Sequence, residues 1–190
     1  SSMADLSLQL QADNLPRDAV ESLLVEGHWA SILSRLMTGE NLLLEGCRGV
    51  GKTMLMRAAA ARLANSVKDG GKVLGVHATF KRYLATIPPP GSADASDLGN
   101  FKAWVNARIL GALAEQIESL VPNRGNEDFG IVGTVDWNQV ISALETTYRG
   151  TTGTRQIETL LGAGLTEPQI RSLQGYTFTV EALQTVRSAL

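Results

Sequence analysis

A mixed α/β chain built on a parallel sheet, with a helix-rich C-terminal third, is what the sequence predicts. Three observations lead there. "NLLLEG" (41–46) is a short apolar run of the kind a buried strand shows. A glycine-rich turn follows it and opens directly into an alanine- and leucine-rich helical stretch. A second apolar run, "KVLGVHATF" (72–80), comes after the turn "DGG". Strand, turn, helix and strand make a βαβ unit, and parallel strands need such a crossover.

Taken in order, residues 15–38 predict two helices broken near Gly27, with Pro16 suited to a first helical turn. Leu33, Leu36 and Met37 continue an apolar face from Trp29 at helical spacing. Gly39 stands where a helix-ending glycine belongs. Beyond the glycine turn a helix is expected from Lys52 to Ala64. "IPPPGSADASDLGN" (87–100) predicts an exposed loop, because its prolines give up backbone donors and its small polar residues favour turns. "FKAWVNARILGALAEQIESL" (101–120) places Phe101, Trp104, Val105, Ile109, Ala112 and Leu113 on one helical face. "PNRGNEDFG" (122–130) predicts a further loop, and the remainder reads as mainly helical. The expected organisation is a helical lead-in over 1–40, a partial sheet core over 41–120 and a mainly helical segment over 121–190.

Composition narrows the function classes. Of 190 residues, 44% are hydrophobic and 19% charged, the balance of an ordinary soluble globular protein, and the single cysteine leads to the expectation of a cytoplasmic setting. A net charge of −2 supplies no basic field to attract nucleic acid or an anionic membrane. Cys47 is the one cysteine, which excludes an intrachain disulfide. With only His28 and His77 beside it, a metal site built on Cys and His is disfavoured. No apolar run approaches the roughly 20 residues of a membrane span. Ser1 and Ser2 ahead of Met3 read as a tag remnant, and the polar start carries no signal peptide.

The glycine-rich turn carries the chemistry. In "GCRGVGKTMLMR" (46–57), Gly46, Gly51, Lys52 and Thr53 satisfy G-x-x-x-x-G-K-[ST], the phosphate-binding P-loop or Walker A motif. Triphosphate oxygens have to be wrapped by backbone N–H groups, and that needs backbone without a Cβ in the way. The helix that follows aims its free N–H groups and its positive dipole end at the same anion. Four such specified positions arise by chance in about one chain in a hundred or fewer, and here they stand between an apolar run and a helix. The expected nucleotide contacts are Gly46, Gly49, Val50, Gly51, Lys52, Thr53 and Met54. The Lys52 ammonium would take the β- and γ-phosphates, and the Thr53 hydroxyl would help to hold Mg²⁺. The expected ligand is ATP or ADP with Mg²⁺. Cys47 and Arg48, inside the motif, read as a variable loop position and a solvated cation.

A nucleotide is not hydrolysed by such a loop alone. A strand must end in an Asp that holds Mg²⁺, and a residue must position water. After Lys52 the nearest match is "GIVGTVD" (130–136), which contains Gly133 and Thr134 and is followed by Trp137. Asp136 reads instead as a helix cap: Gln139 stands three residues on, and Val135 and Val140 occupy the positions of a hydrophobic staple. The chain is therefore expected to be an N-terminal fragment that ends before the metal-holding strand.

From about Val20 to Leu120 the sequence resembles the AAA+ and STAND group of P-loop ATPases, and more narrowly the origin-recognition-like AAA ATPases of bacteria. The residues that carry the resemblance are the helices ahead of "NLLLEGCRGVGKTMLMR", the following "VLGVHATFKRYL" and the helix "FKAWVNARILGAL". The resemblance implies a nucleotide-dependent switch in which Gly49, Gly51, Lys52 and Thr53 contact nucleotide and Mg²⁺. It implies a parent protein that hydrolyses ATP, a chain that is inactive alone, and other subunits or a missing C-terminal half as partners. The second carboxylates, sensor residue and arginine finger of such ATPases have no match here. Two alternatives stand beside it. A small-molecule P-loop kinase would need an arginine-rich lid, and Arg149, Arg155, Arg171 and Arg187 are scattered. A non-catalytic interaction module would keep the loop for folding or regulation only.

The remaining candidates have ordinary readings beside the functional ones. His28-Trp29 could seat adenine or simply pack, since pocket walls are mostly apolar and aromatic. His77 reads as a core or strand-end histidine. "LLGAGLTEPQIRSL" (160–173) resembles a phosphate-gripping helix-hairpin-helix, but Thr166 and Gln169 fit a capping box, and Gly164 fits a helix end. "KRYL" (81–84) reads as a solvated basic pair.

Overall fold

Trp29 closes a 3₁₀ turn, Gly27–Trp29, and the chain passes straight into helix α1, Ala30–Met37. α1 stops where Thr38 turns its N–H and its hydroxyl back onto the Arg35 carbonyl, at 3.2 and 2.8 Å. Gly39 then takes a φ of +77°, the left-handed geometry that a glycine adopts without a Cβ penalty. This computed structural model describes residues 15, 19–20, 27–47, 49–80, 95–121, 125–147 and 153–190. Pro16, the side chain of His28, Arg48, the basic pair at 81–84, most of the proline loop, Tyr148 and Arg149 lie outside the described residues. The chain divides into two compact units, Ser1–His77 and Ala78–Leu190.

In the first unit, helix α2 runs from Lys52 to Lys68, a turn beyond the expected Ala64. Leu55, Ala58 and Ala59 of α2 meet Val20 and Leu33 in one buried cluster. Leu15, Trp29, Ile32, Leu36, Met37, Leu44 and Met54 pack around it, partly buried. Each fully buried leucine-sized side chain is worth about 1.5–3 kcal/mol, so Leu33 and Leu55 weigh most here. After α2 the chain turns through Asp69–Gly71, and the Gly71 N–H donates to the Ser66 carbonyl at 2.8 Å. It then comes back along the helix. A Cβ on Gly75 would stand 2.7 Å from the Cα of Ala60 and 2.9 Å from its carbonyl oxygen, so backbone lies directly on backbone.

The described residues do not form the parallel sheet expected above. Among the described residues the protein is all-helical, without a strand, so the α/β P-loop fold with a sheet core is overturned. The runs 41–47 and 72–80 have no regular structure. A strand of a parallel sheet is covered on both faces, yet Leu43 is 84% exposed and Val73 53%. Two short candidate strands also offer too few ladder bonds and too small a face to be stable by themselves. Their apolar side chains find helix instead: Leu44 packs on the buried cluster, and Gly75 is buried against α2.

The second unit is built on α3, Ala95–Leu120, followed by a 3₁₀ turn at Asn126–Phe129, a single turn α4 at Ile131–Thr134, α5 at Trp137–Thr147, α6 at Gly153–Gly162, α7 at Glu167–Ser172 and α8 at Tyr176–Ala189. α3 begins inside the stretch expected to be loop. Its buried side overlaps the predicted one in Trp104 and Leu113 but is widened to Ala103, Ala107, Leu110 and Ile117, while Val105, Ile109 and Ala112 are half-buried and Phe101 is exposed. Close packing explains both. Gly99, a poor helix former, is tolerated because Gln174 crowds the place of its Cβ, and Gly111 because Trp137 and Ile141 stand 3.1 and 3.2 Å from its Cβ position. No described helix is long and apolar enough to cross a membrane.

One buried polar group ties α3 to the C-terminal helices. Asn106 is buried, and its Nδ2 donates to the Leu173 carbonyl at 2.8 Å. Its Oδ1 accepts from the Thr179 hydroxyl at 2.7 Å. Truncating Asn106 would strand both partners away from water. Asn106→Ala is expected to lower the unfolding free energy by about 1–3 kcal/mol, read as a fall in the denaturant midpoint. An unchanged midpoint would show that the network carries no net weight.

Candidate phosphate-binding loop

The loop ahead of α2 owes its shape to glycines. Gly49 and Gly51 have φ of +91° and +87°, values at which a side chain is strained. Gly51 is the N-cap of α2, with no capping side chain and no acidic residue in the first turn. The first helical bond of α2 is from the Leu55 N–H to the Gly51 carbonyl, at 3.0 Å. The N–H groups of Lys52, Thr53 and Met54 therefore precede the ladder and have no acceptor within the helix. An uncapped helix start with its dipole end open to solvent favours an anion.

Lys52 completes the arrangement. Its Nζ donates to the Gly46 carbonyl at 2.6 Å and to the Cys47 carbonyl at 2.9 Å. The ammonium thus lies folded over the loop that contains it. A Cβ on Gly46 would meet Val50 Cγ2 at 3.1 Å and Lys52 Nζ at 3.8 Å, so glycine here makes room for that fold. Gly46, Gly49 and Gly51 are exposed, and Val50, Lys52, Thr53 and Met54 half-buried. Backbone donors and one compact cation suit the oxygens of a phosphate. Thr53 brings the one hydroxyl of the first turn, suited to a Mg²⁺ that the phosphates also hold. Among the described residues, no group of three or more His, Cys, Asp or Glu is arranged to hold a metal by itself.

The other predicted residues have local roles of their own. Trp29 packs against the buried cluster of its unit, which is the ordinary reading. Cys47 is exposed. Asp136 caps α5 in the second unit: the Gln139 N–H donates to its Oδ1 at 3.0 Å, and its own N–H donates to the Ala163 carbonyl at 2.9 Å. The residues before it form the turn α4, not a strand. The glycines at 162–164 grip no phosphate, because their amides are spent. The N–H groups of Ala163, Gly164 and Leu165 donate to Thr159, Leu161 and Leu160, and Gly164 has a φ of +102°. The last two of these bonds are the paired bonds of a Schellman helix end. The next amide, Thr166, donates to Gln169 Oε1 at 2.9 Å, and Arg171 is paired with Glu167 at 3.1 Å.

Sequence reading missed two groupings. Arg57, four residues beyond Thr53 and so on the same side of α2, is half-buried and donates from Nη2 to the Leu15 carbonyl at 2.7 Å. Its spacing from Thr53 was the available signal. In the second unit, Glu145 accepts from Trp104 Nε1 at 3.1 Å and from Arg108, and the Arg108 guanidinium lies 5.5 Å from the Trp104 ring centre. Nothing local in the sequence announces a contact between residues about forty apart.

No protein-family model, curated protein or solved structure matches the chain.

The cap geometry separates the two roles of Asp136. Asp136→Ala should cost about 1 kcal/mol of stability and leave unchanged any Mg²⁺-dependent nucleotide affinity that the chain has. Thermal melts and a binding titration on that variant decide the matter. Unchanged stability with a lost Mg²⁺ dependence would make Asp136 a metal ligand.

Proposed function

We propose that the chain binds a magnesium complex of ATP or ADP through residues 46–54, as the nucleotide-responsive part of an ATPase of the AAA+/STAND kind. One observation carries the reading. The Lys52 ammonium lies across a glycine loop whose spacing meets the P-loop motif, at the uncapped start of a 17-residue helix. The Gly46 and Cys47 carbonyls hold the ammonium where phosphate oxygens would replace them. That exchange trades neutral acceptors for charged ones, and charge-assisted bonds are roughly twice as strong. Thr53, with the phosphates, would hold the Mg²⁺, which shields the phosphate charge. Phosphoryl transfer also needs a positioned water and a carboxylate on the metal. The one sequence candidate for that carboxylate, Asp136, is occupied as a cap. The role proposed for this chain is therefore binding and switching, with no hydrolytic step assigned to its residues.

Calorimetry tests the binding. Lys52→Ala removes a charged contact worth about 1.5–3 kcal/mol, so affinity for Mg·ATP or Mg·ADP should fall by tenfold or more, with the melting temperature of the free chain little changed. Equal affinity in the two proteins would end the reading.

Turnover is a separate matter. Positioning and charge stabilisation supply nearly all of phosphoryl-transfer catalysis, so ATP hydrolysis by this chain alone is expected to be negligible. A rate of about one per second, ordinary for such enzymes, that vanishes in Lys52→Ala would refute it.

A further inference from the structure

Helix α8 uses only part of its apolar surface inside its own unit. Phe178, Thr179, Ala182 and Val186 are buried, and at about 100° per residue they span an arc of about 100°. The adjoining arc, about 80° wide, carries Tyr176, Val180, Leu183, Arg187 and Leu190. Its apolar members stay open to solvent: Tyr176 is 85% exposed, Val180 45%, Leu183 42% and Leu190 44%. Thr177, Glu181, Gln184, Thr185 and Ser188 make up the polar remainder. A globular helix ordinarily turns one apolar face to its core and polar groups elsewhere, so packing within the unit does not account for the second stripe. The stripe recurs at steps of 4, 3, 4 and 3 residues, the heptad spacing of a seam between two helices.

We propose that this stripe docks a second copy of the chain, through an antiparallel pairing of the two α8 helices about a two-fold axis. The order of residues within the stripe selects that occupant. From Tyr176 to Arg187 the steps are 4, 3 and 4, which read the same in either direction. Two copies laid antiparallel therefore put Val180 of one on Leu183 of the other, and Tyr176 of one on Arg187 of the other. Each contact occurs twice, as a two-fold interface requires. The cation at one end of the stripe thus meets the aromatic ring at the other, and a guanidinium over a tyrosine face is attractive. Parallel pairing would set Arg187 against Arg187 and is disfavoured. The exposed residues that flank the stripe, Thr177 and Gln184, are uncharged, so the antiparallel seam opposes no like charges. The stripe has five residues, against roughly 20–30 on each side of a standard interface, so the dimer is weak and forms as the concentration rises. It requires no nucleotide and stands or falls separately from the binding proposed for the loop.

Sedimentation of the full chain over a concentration series tests the pairing, together with an isotope-filtered NOE experiment on mixed labelled and unlabelled chains. Within one chain Tyr176 and Arg187 are eleven residues apart, about 16 Å along the helix, so an NOE between them can arise only between copies. The average mass should rise with concentration from that of one chain towards that of two, and the Tyr176–Arg187 NOE should appear with it. Leu183→Glu places a charge in the middle of the seam and should abolish both, with the helical circular dichroism unchanged. Arg187→Glu removes both cation–ring contacts and should weaken association about tenfold. Should Leu183→Glu fail to fold, Arg187→Glu and the NOE decide alone. A chain that stays monomeric up to about 1 mM, leaving the stripe to a different partner, would overturn the proposal. So would a dimer that persists in Leu183→Glu, that is unweakened in Arg187→Glu, or that lacks the Tyr176–Arg187 NOE.

Discussion

The alanine tract of α2 sets the spacing of its unit. Ala58, Ala59, Ala60 and Ala61 are all buried, and each carries a single methyl. Neighbours can therefore approach the helix backbone more closely than across leucines. α1 packs on the side of Leu55, Ala58 and Ala59, and the returning segment packs at Ala60 through a glycine. Close packing gains dispersion contacts, but an alanine methyl removes little apolar area from water. Hydrophobic stabilisation is thus concentrated in a few side chains around Leu33 and Leu55. Arg57, desolvated on the same helix, works against it. Burial without a full set of partners costs free energy.

The local signals in the sequence were legible because they act over a few residues. Gly39 and Gly164 take the left-handed geometry that their positions past α1 and α6 suggested. Asp136 caps α5, and Gln139 supplies the amide it accepts from. Gln169 reaches back to Thr166, with Pro168 in the first turn of α7 where its missing N–H does no harm. Each of these depends on dihedral preferences and hydrogen bonds closed within five residues. The glycines of the 46–53 spacing are of the same kind.

The sheet was misjudged for a physical reason. A short apolar run states that a segment wants cover, not what will cover it. "NLLLEG" and "KVLGVHATF" would be strands if further strands flanked them. Here cover comes from a helix, and the run of three leucines carries no apolar–polar alternation in its sequence that would separate strand from irregular chain. Leu42 and Leu44 are half-buried and Leu43 exposed, an alternation that a segment lying on one surface shows as readily as a strand does. The polar ties of the second unit were hidden for a different reason. Asn106 meets Leu173 and Thr179, and Trp104 meets Glu145, only after the helices pack. Such pairings are set by tertiary approach, which no local pattern encodes.

Losing the sheet bears differently on the two halves of nucleotide chemistry. What an anion asks of the loop is local. It needs amides ahead of a helical ladder, glycines that admit left-handed dihedrals, and a cation on a flexible stem; Lys52 and residues 46–54 hold these within nine positions. What hydrolysis asks is not local. A carboxylate and a water-positioning group must reach the same phosphate from a distant part of the chain, and a parallel sheet does this by aligning the ends of successive strands. The described residues have no such sheet. Leu44, two residues before Gly46, packs on the buried cluster and so anchors the chain near the entry to the loop. One anchored side chain can hold a loop that binds, but it cannot bring a second element to the phosphate. The binding proposed for residues 46–54 makes no demand on a sheet; hydrolysis would need one, and the described residues do not form it.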